Sequence, residues 1–122
     1  MPSILDEIVN SKLKHLEITK NQKTLRDLEA EIDQMPIPLN LSGALMGSNI
    51  RIIAESKKAS PSKGLLSDNY DPVSISSLYA DNGVAAISVL TETNYFQGTL
   101  KHMQMVSDNV RDKGIPVLRK DF

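Results

Sequence analysis

Apolar residues recur at helical spacing over the first third of the chain. Over residues 2–20 the spacing predicts a helix whose apolar stripe is Ile4, Leu5, Ile8, Val9, Leu13 and Leu16. A second stripe predicts a helix over residues 24–34. This helix is expected to end before Pro36, because proline cannot continue a helix. Residues 41–47 predict one short helical turn that ends at Gly47.

The pattern changes in the second part of the chain. Short runs rich in isoleucine and valine predict strands over residues 50–56, 84–90 and 115–120. Between them, helical spacing predicts helices over residues 71–81 and 99–112. Strands that alternate with helices predict an α/β fold with a parallel sheet and right-handed crossovers.

Two architectures fit this order of elements, a (β/α) barrel and an open doubly wound sheet, and periodicity does not separate them. Residues 57–64, which follow the first predicted strand, have neither the glycine pattern of a dinucleotide-binding turn nor that of a Walker A loop. Their composition therefore counts against a nucleotide-binding sheet.

Composition narrows the class of protein. The 122 residues suit one ordinary domain, and 14 basic against 15 acidic side chains leave no basic field for nucleic acid. The absence of cysteine excludes a disulfide scaffold and a thiol nucleophile. No apolar run approaches the ~20 residues that span a bilayer, and no signal peptide is visible. We therefore expect a cytoplasmic protein that binds no membrane.

Polar side chains follow all of the predicted strands at the point where each ends. Glu55 and Lys57 are two residues apart, so they leave the first strand on the same face, and Lys120 and Phe122 do the same from the third. In parallel α/β proteins this edge of the sheet holds the active site. The spacing predicts that Glu55, Lys57 and Lys120 meet in one cavity, whereas Arg119 points to the other face. The alternative is that these lysines are simply solvated.

Other candidate residues give weaker signals. The loop at residues 57–64 has cations, hydroxyls and a glycine, a composition that suits an anion but is also common at surfaces. Tyr95 and Phe96 suit either stacking on an aromatic substrate or anchoring of their loop. His15 and His102 fall on predicted helices, where we expect them at the surface, so no histidine triad or metal site is predicted.

Several of these segments resemble one enzyme family, the indole-3-glycerol-phosphate synthases. Residues 52–64 (IIAESKKASPSKG) resemble the family's first-strand signature. The matching continues, in order, at residues 71–72, 86–91, 95–98 and 116–122. Residues 4–9 and 41–45 resemble the family's helical extension. Ser56 departs from the pattern, since a valine or tyrosine is commoner there, but it is expected to point away from the cavity.

The resemblance implies a TIM (β/α)8 barrel that this chain represents only in part. Residues 1–48 would form an N-terminal helical extension, and residues 49–122 the first three strands and two helices of the barrel. A complete barrel has eight strands and about 250 residues. We therefore expect the chain to be a fragment that is inactive by itself, since the family's general base lies on a later strand.

The resemblance also implies a reaction. It is a carbon–carbon lyase step of tryptophan biosynthesis, in which 1-(2-carboxyphenylamino)-1-deoxyribulose 5-phosphate closes its ring and loses carbon dioxide and water, with no cofactor or metal. Lys120 would be the general acid, and Lys57 would bind an anionic group of the substrate and share the acid role. Glu55 would pair with both lysines and stabilise the cationic intermediate.

The remaining implied residues line the substrate pocket. Ser60 would shape the first loop, and Phe96 and Phe122 would contact the anthranilate ring. The implied partners are the anionic substrate and other tryptophan-pathway enzymes. Two alternatives remain: an inactive truncated module that binds or assembles through open sheet edges, and a related phosphate-binding barrel with another reaction.

Overall fold

Two capped helices form the N-terminal part of the chain. Helix α1 spans Ile4–Gln22 and helix α2 spans Leu25–Ile32, which confirms both predicted helices. Each begins with a capping box, in which a hydroxyl and a carboxylate three residues later bond each other's backbone N–H groups. These pairs are Ser3 with Asp6 and Thr24 with Asp27. No helix of the chain is long and apolar enough to cross a membrane.

The computed structural model describes all residues from 1 to 122 and divides them into two compact units, Met1–Ile37 and Pro38–Phe122. In the first unit most apolar side chains of both helices are exposed, Ile8 is half-buried, and neither helix has a buried residue. Short helix α3, Leu41–Ala44, belongs to the same unit as the strands.

The second unit contains the strands and helices predicted for the α/β part. They follow in the order β1 Ile53–Ser56, β2 Ala59–Ser60, β3 Gly64–Leu65, α4 Pro72–Asp81, β4 Ala86–Leu90, α5 Leu100–Val110, a 3-10 turn Arg111–Lys113 and β5 Val117–Lys120. Helix α4 begins where Asp71 accepts hydrogen bonds from the first backbone N–H groups and proline takes the first helical position.

Strands β1, β4 and β5 form a three-stranded parallel sheet in the order β1-β4-β5, which confirms the predicted parallel α/β arrangement. Glu55 lies opposite Ser88, and Leu90 lies opposite Lys120. Helices α4 and α5 pack on one face, where the core is formed by Ile87, Val89, Val106, Val110 and Ile115.

Among the three strands of the parallel sheet, only the central one is buried along its whole length. All five residues of β4 are buried, whereas Ile53 of β1 is 41% exposed and Leu118 of β5 is 37% exposed. Strands β1 and β5 are less buried than β4 because each has a sheet neighbour on one side only.

The segment predicted as a plain loop after β1 contains a small hairpin. Strands β2 and β3 pair in antiparallel fashion, with Ala59 opposite Leu65 and Ser60 opposite Gly64. Gly64 adopts a positive φ of 64°, a conformation that glycine reaches without steric cost. A strand of two residues is too short to show an alternation of apolar and polar residues, so the sequence pattern did not predict the hairpin.

Candidate active site

A carboxylate bridges two ammonium groups at the carboxyl edge of the sheet. Glu55 Oε1 lies 3.5 Å from Lys57 Nζ, and Glu55 Oε2 lies 3.2 Å from Lys120 Nζ. Ser88 Oγ donates a hydrogen bond of 3.2 Å to the same Oε2 atom. Sequence spacing predicted that the three charged side chains meet here, and the structure brings them together. It adds Ser88, which sequence reasoning missed.

Strand register explains this meeting. Glu55 and Lys57 share one face by alternation, and Ser88 lies beside Glu55 on the neighbouring strand. Lys120 comes from β5, two strands away, and its long side chain reaches Glu55 across β4. Neighbouring strands lie about 4.8 Å apart, so only long side chains can close this gap.

Two ammonium groups surround one carboxylate in the Glu55–Lys57–Lys120 cluster. Asp121 adds a second carboxylate, whose Oδ2 atom lies 3.8 Å from Lys120 Nζ, so the four side chains together have no net charge. The side chains of Glu55, Lys57 and Lys120 are 29% to 46% exposed, so they are open to a solute. The two ammonium groups can therefore donate charge-assisted hydrogen bonds to an anionic group of a solute.

Two tyrosines also hold the end of β1, one from the loop before α4 and one from α4 itself. Ser56 is buried and points away from Glu55, as alternation predicted, and its Oγ lies 2.6 Å from Tyr70 Oη. Tyr79 Oη donates to the backbone oxygen of Glu55 at 2.9 Å. These bonds fix the end of the strand and therefore the direction in which the Glu55 side chain leaves it.

Glu92 organises the loop after β4, and sequence reasoning missed it. Its side chain is only 3% exposed. Glu92 Oε1 accepts from the Asn94 N–H at 3.0 Å, and Oε2 accepts from the N–H groups of Tyr95 at 2.7 Å and Phe96 at 3.3 Å. An acidic residue directly after a strand and just before a turn was the available signal, because carboxylates cap runs of free N–H groups.

The same loop folds back closely on the end of β4. The Gly98 N–H donates to the backbone oxygen of Glu92 at 2.8 Å. A Cβ atom on Gly98 would lie 2.1 Å from the backbone oxygen of Leu90, so only glycine fits. Phe96, inside this loop, is half-buried.

The other candidate pocket residues contact neighbours outside the charged cluster. Ser60 is 9% exposed, and its Oγ accepts from the Lys63 N–H at 3.3 Å. Phe122 is 69% exposed, and the Arg119 guanidinium lies 5.1 Å from its ring centre, a cation–π distance. Arg119 Nε also donates to Thr91 Oγ1 at 3.1 Å.

The prediction that His102 lies at the surface is wrong, whereas His15 is exposed as predicted. The His102 ring is half-buried edge-on against Tyr70 at 5.2 Å between ring centres, and its Nδ1 atom has no hydrogen-bond partner. Burial, followed by the nearby charges of Lys58 and Lys101, lowers the pKa of His102. Helical spacing did not show that the loop before α4 brings Tyr70 onto this residue.

These features define the class of protein: a parallel α/β protein with paired lysines and carboxylates at the carboxyl edge of its sheet. The chain matches the family model for indole-3-glycerol phosphate synthase over residues 5–122. A protein named indole-3-glycerol phosphate synthase from Dehalococcoides mccartyi is 42% identical over 120 residues, which cover 98% of this chain and 46% of the relative.

Two further relatives with the same name agree. The Roseiflexus sp. protein is 41% identical and is matched over 97% of this chain and 47% of its own length. The Campylobacter fetus protein is 43% identical, with 98% and 45% covered. The chain therefore belongs to the indole-3-glycerol phosphate synthase family, and it spans about half the length of these relatives.

Proposed function

We propose that this chain supplies the first three strands of a (β/α)8 barrel. With these strands it supplies the general-acid residues of an indole-3-glycerol phosphate synthase. Family membership supports the reaction, and the parallel sheet supports the fold. The outer edges of β1 and β5 have no strand partner, which suits strands that continue into a closed barrel on both sides.

The proposed reaction begins with ring closure. The aromatic carbon that bears the carboxylate of 1-(2-carboxyphenylamino)-1-deoxyribulose 5-phosphate attacks the ketone carbon of the sugar. A carbon–carbon bond forms, and the ketone oxygen takes a proton from Lys120 Nζ. Carbon dioxide then leaves the ring carbon, and the electron pair of the broken bond restores the aromatic ring. The new hydroxyl leaves as water with a proton to which Lys57 contributes, and the neighbouring methylene group gives up a proton to the family's general base on a later strand. This step yields indole-3-glycerol phosphate, and neither a cofactor nor a metal takes part.

Glu55 has two tasks in this proposal. It holds the ammonium groups of Lys57 and Lys120 at 3.5 and 3.2 Å, so both donors lie together at the carboxyl edge of the sheet. Its negative charge also stabilises the cationic ring intermediate that forms before carbon dioxide leaves. Fixed charges aimed at developing charge are among the largest contributions to catalysis.

Substrate binding uses the ammonium groups of the lysines and the aromatic side chains. Lys57 binds an anionic group of the substrate, Ser60 shapes the first loop, and Phe96 and Phe122 line the pocket for the anthranilate ring. Contact with other tryptophan-pathway enzymes in the cytoplasm belongs to the same proposal.

The Glu55 bridge to both lysines is the observation on which this proposal depends most. The test joins residues 1–122 to the remaining barrel strands, taken from the Dehalococcoides mccartyi relative. Fluorescence of the indole product then measures turnover. We expect turnover by the joined polypeptide and none by the 122-residue chain. Turnover by the short chain would contradict the need for further strands.

An assembly module is the second candidate function. The unpaired edges of β1 and β5 and the exposed side chains of Ile53 and Leu118 favour it, since open strand edges pair with other chains. Sedimentation of the 122-residue chain separates the candidates. A defined, folded oligomer would support assembly, and a monomer would contradict it.

A further inference from the structure

The loop at residues 91–98 starts beside one of the proposed catalytic lysines. The backbone N–H of Thr91 donates to the backbone oxygen of Lys120 at 3.0 Å, and the Thr91 hydroxyl donates to the same oxygen at 3.3 Å. The loop closes on itself through the bond from the Gly98 N–H to the Glu92 oxygen at 2.8 Å. The start of the loop is therefore fixed to the backbone of β5 at Lys120.

The conformation of the loop is not one that the backbone adopts freely. Gln97, which directly follows Phe96, has a φ of 53°, in the left-handed region that disfavours residues other than glycine. The loop therefore requires compensating bonds. The Glu92 carboxylate supplies them, because it accepts from the N–H groups of Asn94, Tyr95 and Phe96.

The burial of Glu92 is consistent with a carboxylate that stabilises the loop by accepting hydrogen bonds from its backbone. The side chain is 3% exposed, and a buried carboxylate is costly unless donors satisfy it. All three donors come from the loop backbone, and one of them is the N–H of Phe96 itself at 3.3 Å. The carboxylate thus sets the position of the Phe96 backbone directly.

We propose that Glu92 is a positioning residue that acts through Phe96: it holds the loop so that the Phe96 ring meets the aromatic ring of the substrate. This inference rests on the proposed function, because it takes Phe96 as part of the substrate pocket. Glu92 itself does not touch the substrate.

A double-mutant cycle in the joined polypeptide tests this inference. Glu92→Gln keeps the shape of the side chain but replaces one acceptor oxygen by an NH2 group, so the backbone donors lose a partner. We expect Glu92→Gln to raise KM about 10-fold with a smaller change in kcat, because the pocket rather than the acid is displaced. In the Phe96→Ala background the same change should alter KM by less than about 2-fold, since residues that act through each other are not additive.

Thr93→Ala is the matched control, because Thr93 lies in the same loop with an exposed side chain, and it should leave KM unchanged. Independent, multiplicative effects of Glu92→Gln and Phe96→Ala would overturn the inference. So would a fall in kcat with constant KM, which a lower fraction of folded protein would produce. If Glu92→Gln does not fold, Glu92→Asp serves in the same cycle.

The result of this double-mutant cycle can be distinguished from the result of the experiment that tests the proposed function. Turnover by the unchanged joined polypeptide and its loss in Lys120→Ala report on the synthase proposal alone. If both results are obtained, but the effects of Glu92→Gln and Phe96→Ala on KM are independent, only the role of Glu92 is contradicted.

Discussion

Glu55 Oε2 lies 3.2 Å from Lys120 Nζ, although the two residues belong to strands that are not neighbours in the sheet. The pair therefore joins the two edge strands across β4, above Ser88. Such a contact depends on the parallel order of all three strands, because a change of register by one residue would turn either side chain to the helix face. The fold thereby places an ammonium group and its counter-charge side by side at the carboxyl edge of the sheet.

Glu55→Gln separates the chemical contribution of this bridge from its contribution to stability. The charges are about a third to a half exposed, so the free energy of unfolding should change by no more than about 1 kcal/mol. We expect kcat of the joined polypeptide to fall about 100-fold or more, because a preorganised charge is lost. Denaturant unfolding and steady-state kinetics check the two parts.

Asp81→Asn is the matched control for the Glu55 experiment. It breaks the exposed Asp81–Lys113 ion pair, whose atoms lie 3.0 Å apart and which shares no residue with the cluster. Its kcat should equal that of the unchanged protein. An equal loss of kcat in both variants would contradict a specific role for Glu55.

Gly98→Ala tests the close approach of the loop to β4. The added methyl group would lie 2.1 Å from the backbone oxygen of Leu90, so the loop must move. We expect a loss of about 1–3 kcal/mol in the free energy of unfolding, together with a raised KM. Gly83→Ala adds a methyl group at a positive φ of 77° with no atom within 4 Å, so it isolates the backbone cost. A smaller effect at Gly98 than at Gly83 would count against the tight contact between the loop and Leu90.

His102 predicts a dependence of stability on pH. Burial and the charges of Lys58 and Lys101 lower the pKa of His102 in the folded state, so the unfolded state takes up a proton more readily. The stability is therefore complete above the ordinary value of 6.5 and declines as the pH falls below it, until the folded state is protonated as well.

Urea unfolding at a series of pH values measures this decline. His102→Phe keeps an aromatic ring against Tyr70 and removes the titration, so the slope between about pH 6.5 and 5 should become shallower. His15→Phe changes an exposed histidine and should leave the slope as it is. Equal slopes in His102→Phe and the unchanged protein would contradict the prediction.

Local patterns predicted the framework of the site, and long-range packing decided the rest. Alternation along a strand is local, so the shared face of Glu55 and Lys57 was predictable from their spacing. The burial of Glu92 was not, because it depends on a loop that folds back onto β4. His102 was misplaced for a similar reason, since Tyr70 reaches it from another segment.

The most direct test of the central claim is the kcat of Lys120→Ala in the polypeptide that joins this chain to the remaining barrel strands. Loss of a general acid lowers the rate by about 10²–10⁴-fold, and we expect a loss in that range with the fold intact by circular dichroism. Lys101→Ala, an exposed lysine of α5, should retain full kcat. A Lys120→Ala protein as active as the unchanged one would contradict the account.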